Sequence, residues 1–158
     1  MTRYEELAKL AAKDSKAHFE ERAACAHCAR AAASHVIDYL QAPQDAICFT
    51  ALDADLHATS ETFVTPELRL APDSNWYFGL QIRFNSKDSP HFGIVNLTIG
   101  VSSTATGHML EFEREFAVSP NEPASFLPFA EYVANSIAND YNRPRKARST
   151  HIGFVPVA

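Results

Sequence analysis

The chain is expected to fold as an α+β protein, with helices packed on one face of an antiparallel sheet. Three observations carry that expectation. Residues 3–41 contain no proline or glycine and are rich in alanine. Residues 46–118 contain runs in which apolar and polar side chains alternate. Residues 125–141 return to apolar positions spaced three and four apart.

The first segment reads as helix because alanine is the best helix former and Pro43 ends the run. One long helix and a helical hairpin both fit, with Lys13-Asp14-Ser15 the weakest stretch. One stripe at helical spacing runs Tyr4, Ala8, Ala11, Ser15, Phe19, Arg22, Ala26, Ala29, Ala33, Ile37, Leu40. It is mostly alanine, so a partner can approach closely. Such a face gains most from a self-complementary neighbour, which points to a homodimer.

The middle of the chain reads as five strands. The clearest is 76–84, where Phe78, Leu80, Ile82 and Phe84 alternate with Tyr77, Gly79, Gln81 and Arg83. Residues 94–101 and 110–118 repeat the pattern, and polar loops join the three as an antiparallel meander. Two weaker strands fit 46–56 and 61–70, with Pro66 shortening the second or placing it at an edge.

The last helix is expected over 125–141, with Ser125 as N-cap and Pro128 in the first turn. Phe126, Phe129, Val133, Ile137 and Tyr141 form its apolar stripe, and Arg143-Pro144 stops it. Residues 142–158 form a basic segment and a tail, and 151–157 suit a short edge strand or a docking tail. The whole of 1–158 is read as one domain, its helices on one sheet face and its acidic face in water. The element order is similar to small folds of the secretion-chaperone and cystatin-like types, a likeness that carries no function.

Charge is polarised along the chain. Residues 1–45 carry 6 basic and 7 acidic groups, residues 46–124 carry 4 and 10, and residues 125–158 carry 4 and 2. The acidic middle repels phosphate, so nucleic acid is disfavoured as a partner and only the last segment could attract it. No apolar run is long enough to span a membrane, and no signal peptide is visible at the N-terminus. Three cysteines are too few for a disulfide scaffold, which points to a reducing, cytoplasmic setting. Five glycines leave little for a phosphate-cradling loop. No G-x-S-x-G, H-E-x-x-H, Walker or dinucleotide motif occurs.

Several constellations could carry chemistry. Cys25-Ala26-His27-Cys28 has metal or redox spacing, and His18 and His35 lie seven residues outside it on either side. On a straight helix each histidine is about 10 Å from the nearer cysteine, so one helix cannot close a zinc site. The competing reading is small residues in a packing face. Asp14, His18 and Glu21 share a face with those cysteines, as metal ligands or as a solvated flank. Asp53, Asp55 and His57 would line one face of a strand and could hold a divalent ion, or they form a polar turn.

Arg114 falls on the apolar face between Phe112 and Phe116. It needs a buried partner, an anion, or a bulge that turns it out. Arg143, Arg145, Lys146 and Arg148 form a basic cluster without interleaved aromatics, suited to an acidic surface. Trp76 and Tyr77 open the central strand and suit either a core lid or an interface.

The expected function is a non-enzymatic protein-interaction module, a homodimer that binds a protein partner and needs no cofactor. Its Ala-rich helix would self-associate, with partner contacts from Trp76, Tyr77, Arg114 and the basic segment. The alternative is a metal-binding protein or metal-dependent enzyme holding zinc or another divalent ion through Cys25, Cys28 and a histidine, or through Asp53, Asp55 and His57.

Overall fold

A computed structural model describes residues 1–85, 91–144, 146 and 152–156. The alanine-rich segment is one continuous helix, α1 (Arg3–Leu40), not a hairpin. At 1.5 Å per residue its 38 residues reach about 57 Å. Its start is set by a capping box: Thr2 Oγ1 accepts from the Glu5 N–H at 3.2 Å, and the Glu5 carboxylate accepts from the Thr2 N–H at 2.8 Å. At the other end Gln41 takes a left-handed conformation, φ 53°, and the Ala42 N–H closes onto the Ile37 carbonyl.

Among the described residues eight strands follow, all paired antiparallel: β1 (Ile47–Leu52), β2 (Ala58–Phe63), β3 (Arg69–Leu70), β4 (Trp76–Asn85), β5 (His91–Ser103), β6 (His108–Phe112), β7 (Arg114–Val118) and β8 (Ile152–Pro156). The path across the sheet is β2-β1-β4-β5-β6-β7, with β3 beside β4 and β8 beside β5.

The sheet therefore differs from a five-strand meander in two ways. Its order departs from sequence twice, where β1 sits between β2 and β4 and where β8 pairs with β5. Two expected strands are also divided. The run 61–70 breaks around Pro66, whose missing N–H cannot enter a ladder. The run 110–118 reverses at Glu113, where φ is 60°, and becomes the β6–β7 hairpin.

The second helix, α2 (Leu127–Asn142), is preceded by a 3-10 turn, Pro123–Phe126. Ser125 lies in that turn and does not cap α2. Its hydroxyl accepts from the Ser119 N–H at 2.9 Å and donates to the Glu122 carbonyl at 2.6 Å, so the polar group is spent on the approach. Pro128 sits in the first turn, as expected.

Register explains why one sheet face is a core. Phe49, Leu80 and Leu97 form one rung across β1, β4 and β5, and Trp76, Val101, Leu110 and Phe116 form another across β4 to β7. All seven are buried. The second half of α1 brings Cys25, Cys28, Ala29, Ala32, Ala33 and Val36 onto this face, and α2 brings Phe129, Ala130, Val133 and Ile137. Phe116 meets Phe129 edge-on, rings 5.6 Å apart.

The opposite face is only partly wet. Thr50, Gly79 and Thr98 are neighbours across β1, β4 and β5, and Thr50 and Gly79 are buried. The turn after β1 folds over them, its Leu56 carbonyl accepting from the Thr98 hydroxyl at 2.8 Å. Alongside, Gln81 donates to Asn96 at 3.1 Å. Glu111 and Glu115 oppose each other on exposed positions of β6 and β7.

Candidate functional site

The sheet is shorter than the helix it supports. Every residue from Met1 to Ala17 is exposed, and His18 is the first to be partly covered. His18 rests against Trp76, ring centroids 5.2 Å apart. Before that point α1 projects as a free arm of about 22 Å. Such a helix would be marginal in water by itself; here the docked half supplies the nucleus and the capping box closes the far end.

The arm is amphipathic. Tyr4, Leu7, Ala11, Asp14 and His18 follow a three–four spacing that continues, after Glu21, into the buried Cys25, Cys28 and Ala32. The arm's apolar line is thus the core face of α1 carried beyond the sheet. Tyr4 is 81% exposed, Leu7 50% and Leu10 63%. Glu5, Glu6, Lys9, Lys13 and Lys16 lie on the opposite side. The stripe drawn through Phe19, Ala29 and Ile37 is only half right: Ala29 and Ile37 are buried, but Phe19 is 62% exposed. Alanine on nearly every side of the helix hides which face docks.

The cysteine cluster is taken apart by the fold. Cys25 and Cys28 are fully buried in the core. His35 is stacked on Phe126, rings 4.6 Å apart at 9°. His18 sits at Trp76, as above, so each histidine is engaged on an aromatic ring. Burial pushes both thiols up, Cys28 to about 12, and at Cys25 it outweighs a hydrogen bond with Ser103. A redox or nucleophilic cysteine needs the opposite shift. Asp14 and Glu21 remain exposed beside this face.

Asp53, Asp55 and His57 do come together, but in a turn and not on a strand. Asp53 Oδ1 accepts from the Asp55 and His57 N–H groups, both at 2.9 Å, and Leu56 takes a φ of 62°. These contacts, the His57 N–H first, hold the Asp53 carboxyl below its ordinary value. One ligand atom from each of the three lies within 4.8 Å of the others, and all three residues are exposed. The turn's own hydrogen bonds account for the convergence without an ion. Leu52, the last residue of β1, is buried beside Gly79 on the second sheet face, and Leu56 is half-buried in the turn.

Arg114 shares the face of Phe112 and Phe116, as its spacing predicts, but at the exposed edge of the sheet. Its guanidinium lies 4.8 Å from the Phe116 ring centroid and 5.4 Å from that of Tyr132 on α2. Tyr132 donates to Glu113 at 2.8 Å, tying the turn to α2. Trp76 is 4% exposed, a lid under α1 and not a free interface residue. Tyr77 is half-buried and donates to Asp73 at 2.6 Å, which raises its hydroxyl to about 12. Of the basic cluster, Arg143 and Lys146 are exposed, and Arg143 pairs with Asp140 at 3.4 Å. Arg145 and Arg148 lie outside the described residues.

No family model, curated protein or solved structure matches the chain.

One titrating group was not foreseen. Both ring nitrogens of His108, at the start of β6, are buried without a hydrogen-bond partner among the described residues. Burial and the neighbouring His27 hold its pKa below the ordinary 6.5. The unfolded chain therefore binds this proton more readily than the folded one. Its contribution to stability is complete above about pH 6.5 and is lost as pH falls through the lower, folded value. Thermal melts at pH 8 and pH 5 should show a larger loss for the wild type than for His108→Asn; equal losses would remove His108 as the cause.

Proposed function

We propose that the protein is a non-enzymatic interaction module that self-associates and binds a protein partner, with the free half of α1 as its docking element. The observation that supports this reading is the arm itself. Its apolar face lies in line with a buried face and is covered by nothing in its own chain among the described residues. Leaving Tyr4, Leu7 and Leu10 in water forgoes about 1.5–3 kcal/mol for each large aliphatic or aromatic side chain that burial would stabilise. Contiguous exposed apolar surface of this kind marks interaction sites.

The arm takes over the role expected of Trp76 and Tyr77, which are occupied within the fold. The exposed Arg143 and Lys146 stand at the far end of α2, where they would add electrostatic contact to an acidic partner. No described helix is long and apolar enough to cross a membrane. The setting that suits three free cysteines, two of them in the core, is the cytoplasm.

Sedimentation velocity over a range of concentrations tests the reading. The wild type should shift reversibly from monomer to a larger species, and Leu7→Glu should stay monomeric without loss of fold. A wild type that is monomeric at high micromolar concentration and does not change on Leu7→Glu would end the self-association claim.

A further inference from the structure

We infer that the occupant of the arm is the same arm of a second copy, lying antiparallel to it, with Leu7 layered against Ala11 and Tyr4 against Asp14. This rests on the reading that the free half of α1 is the docking element, and adds partner, direction and register. Three features of the arm select it.

The first is spacing. Residues 4, 7, 11 and 14 repeat with the alternating steps of a two-helix seam. Antiparallel helices bring the first position of one repeat against the second of the other, so 7 meets 11 and 4 meets 14. That register uses all four positions of each arm. It also ends before residue 18, where the sheet begins to cover the helix, so the two bodies lie clear of each other at opposite ends.

The second feature is size. Tyr4, Leu7 and Leu10 are gathered near the N-terminus, and Ala11, Ser15 and Ala17 follow. In a parallel pair large residues would meet large and small would meet small. Reversal seats Leu7 over Ala11 in both central layers, which allows close approach at the middle of the seam.

The third is charge. Glu5 and Glu6 lie in the first turn, and Lys13 and Lys16 lie toward the body. These four lie on the outer side of the arm, so the charge that selects the direction is Asp14, which in a parallel pair would face its own copy. Asp14 is the charged residue on the apolar line itself, and reversal places it beside the partner copy's Arg3 guanidinium and Tyr4 hydroxyl. The same asymmetry argues against a lipid surface, which would have to bury Asp14 unpaired.

Cysteine cross-linking reads the register. Chains carrying Leu7→Cys and Ala11→Cys are prepared separately in a Cys48→Ser background, mixed, and oxidised mildly; Cys25 and Cys28 are buried. The Leu7–Ala11 mixed disulfide should exceed either homodisulfide by about tenfold, because only residues that face each other come within bridging distance. Dominant homodisulfides would overturn the antiparallel register. A dimer by sedimentation that forms no cross-link at either position would overturn this seam while leaving self-association standing. Absence of any dimer removes both. Capture of the monomer on phosphatidylserine vesicles through Leu7 and Leu10, with no dimer in solution, would replace the second copy by a membrane surface.

Discussion

Gly79→Ala should be among the most damaging single-methyl changes in the sheet. Gly79 faces Thr50 across β1 and β4, and a Cβ there would overlap the Thr50 hydroxyl and come within 3.0 Å of the Leu52 side chain and the Thr50 carbonyl. The Thr50 carbonyl is held by the β1–β4 pairing, and the turn whose Leu56 carbonyl accepts from Thr98 closes over this face. Overpacking of this kind costs about 1–3 kcal/mol, and for a chain of this size each kcal/mol lowers Tm by about 2–4 °C. The Thr50 hydroxyl is itself buried without a partner among the described residues, so Thr50→Ala relieves both the clash and an unsatisfied group. The double variant Thr50→Ala/Gly79→Ala should recover most of the loss. Thermal melts of the three variants decide it: a Gly79→Ala protein as stable as wild type, or a double variant no better than the single, would contradict this packing.

Ala29→Glu and Ala11→Glu should behave in opposite ways although both sit on α1. Ala29 is fully buried between α1 and the sheet, so a carboxylate there must either ionise without a partner or stay protonated at a cost. The loss is expected to exceed about 3 kcal/mol, enough to release α1 from the sheet or unfold the domain. Ala11 is exposed on the arm. Glutamate there is a good helix former and should leave Tm nearly unchanged at concentrations where the protein is monomeric. It should still abolish self-association. Circular dichroism melts and sedimentation on the two variants separate the outcomes, and equal loss of fold from both would mean that the arm is not free.

Much of the architecture was legible because its signals are local. The run without proline or glycine marks α1. Alternation marks β4 and β5, and the Phe126-to-Tyr141 stripe marks α2. What was not legible depends on distant parts of the chain. Glu113 and Leu56 take left-handed conformations without being glycine or asparagine, so neither turn announces itself. The first hid the β6–β7 hairpin inside one apparent strand, and the second made a turn look like a strand ending in two aspartates and a histidine.

The functional surface was hidden for a related reason. The spacing of Tyr4, Leu7, Ala11 and His18 resembles that of Cys25, Cys28 and Ala32, and composition does not say where the supporting sheet stops. Only the sheet's extent divides α1 into a docked half and a free one. The same division shows why Ala29 cannot report on dimerisation, whereas Leu7 and Ala11 can.

The most direct measurement is hydrogen exchange of the α1 amides as a function of protein concentration. Amides in the docked half, around Cys25 to Ile37, should exchange slowly at every concentration because they open only with the core. Amides between Leu7 and Ala17 should exchange quickly when the protein is dilute, slow down as it is concentrated, and become fast again in Leu7→Glu. Protection of the arm that is already high at the lowest concentration and indifferent to Leu7→Glu would show it packed within its own chain. Protection that stays low at every concentration would show that no second copy covers it.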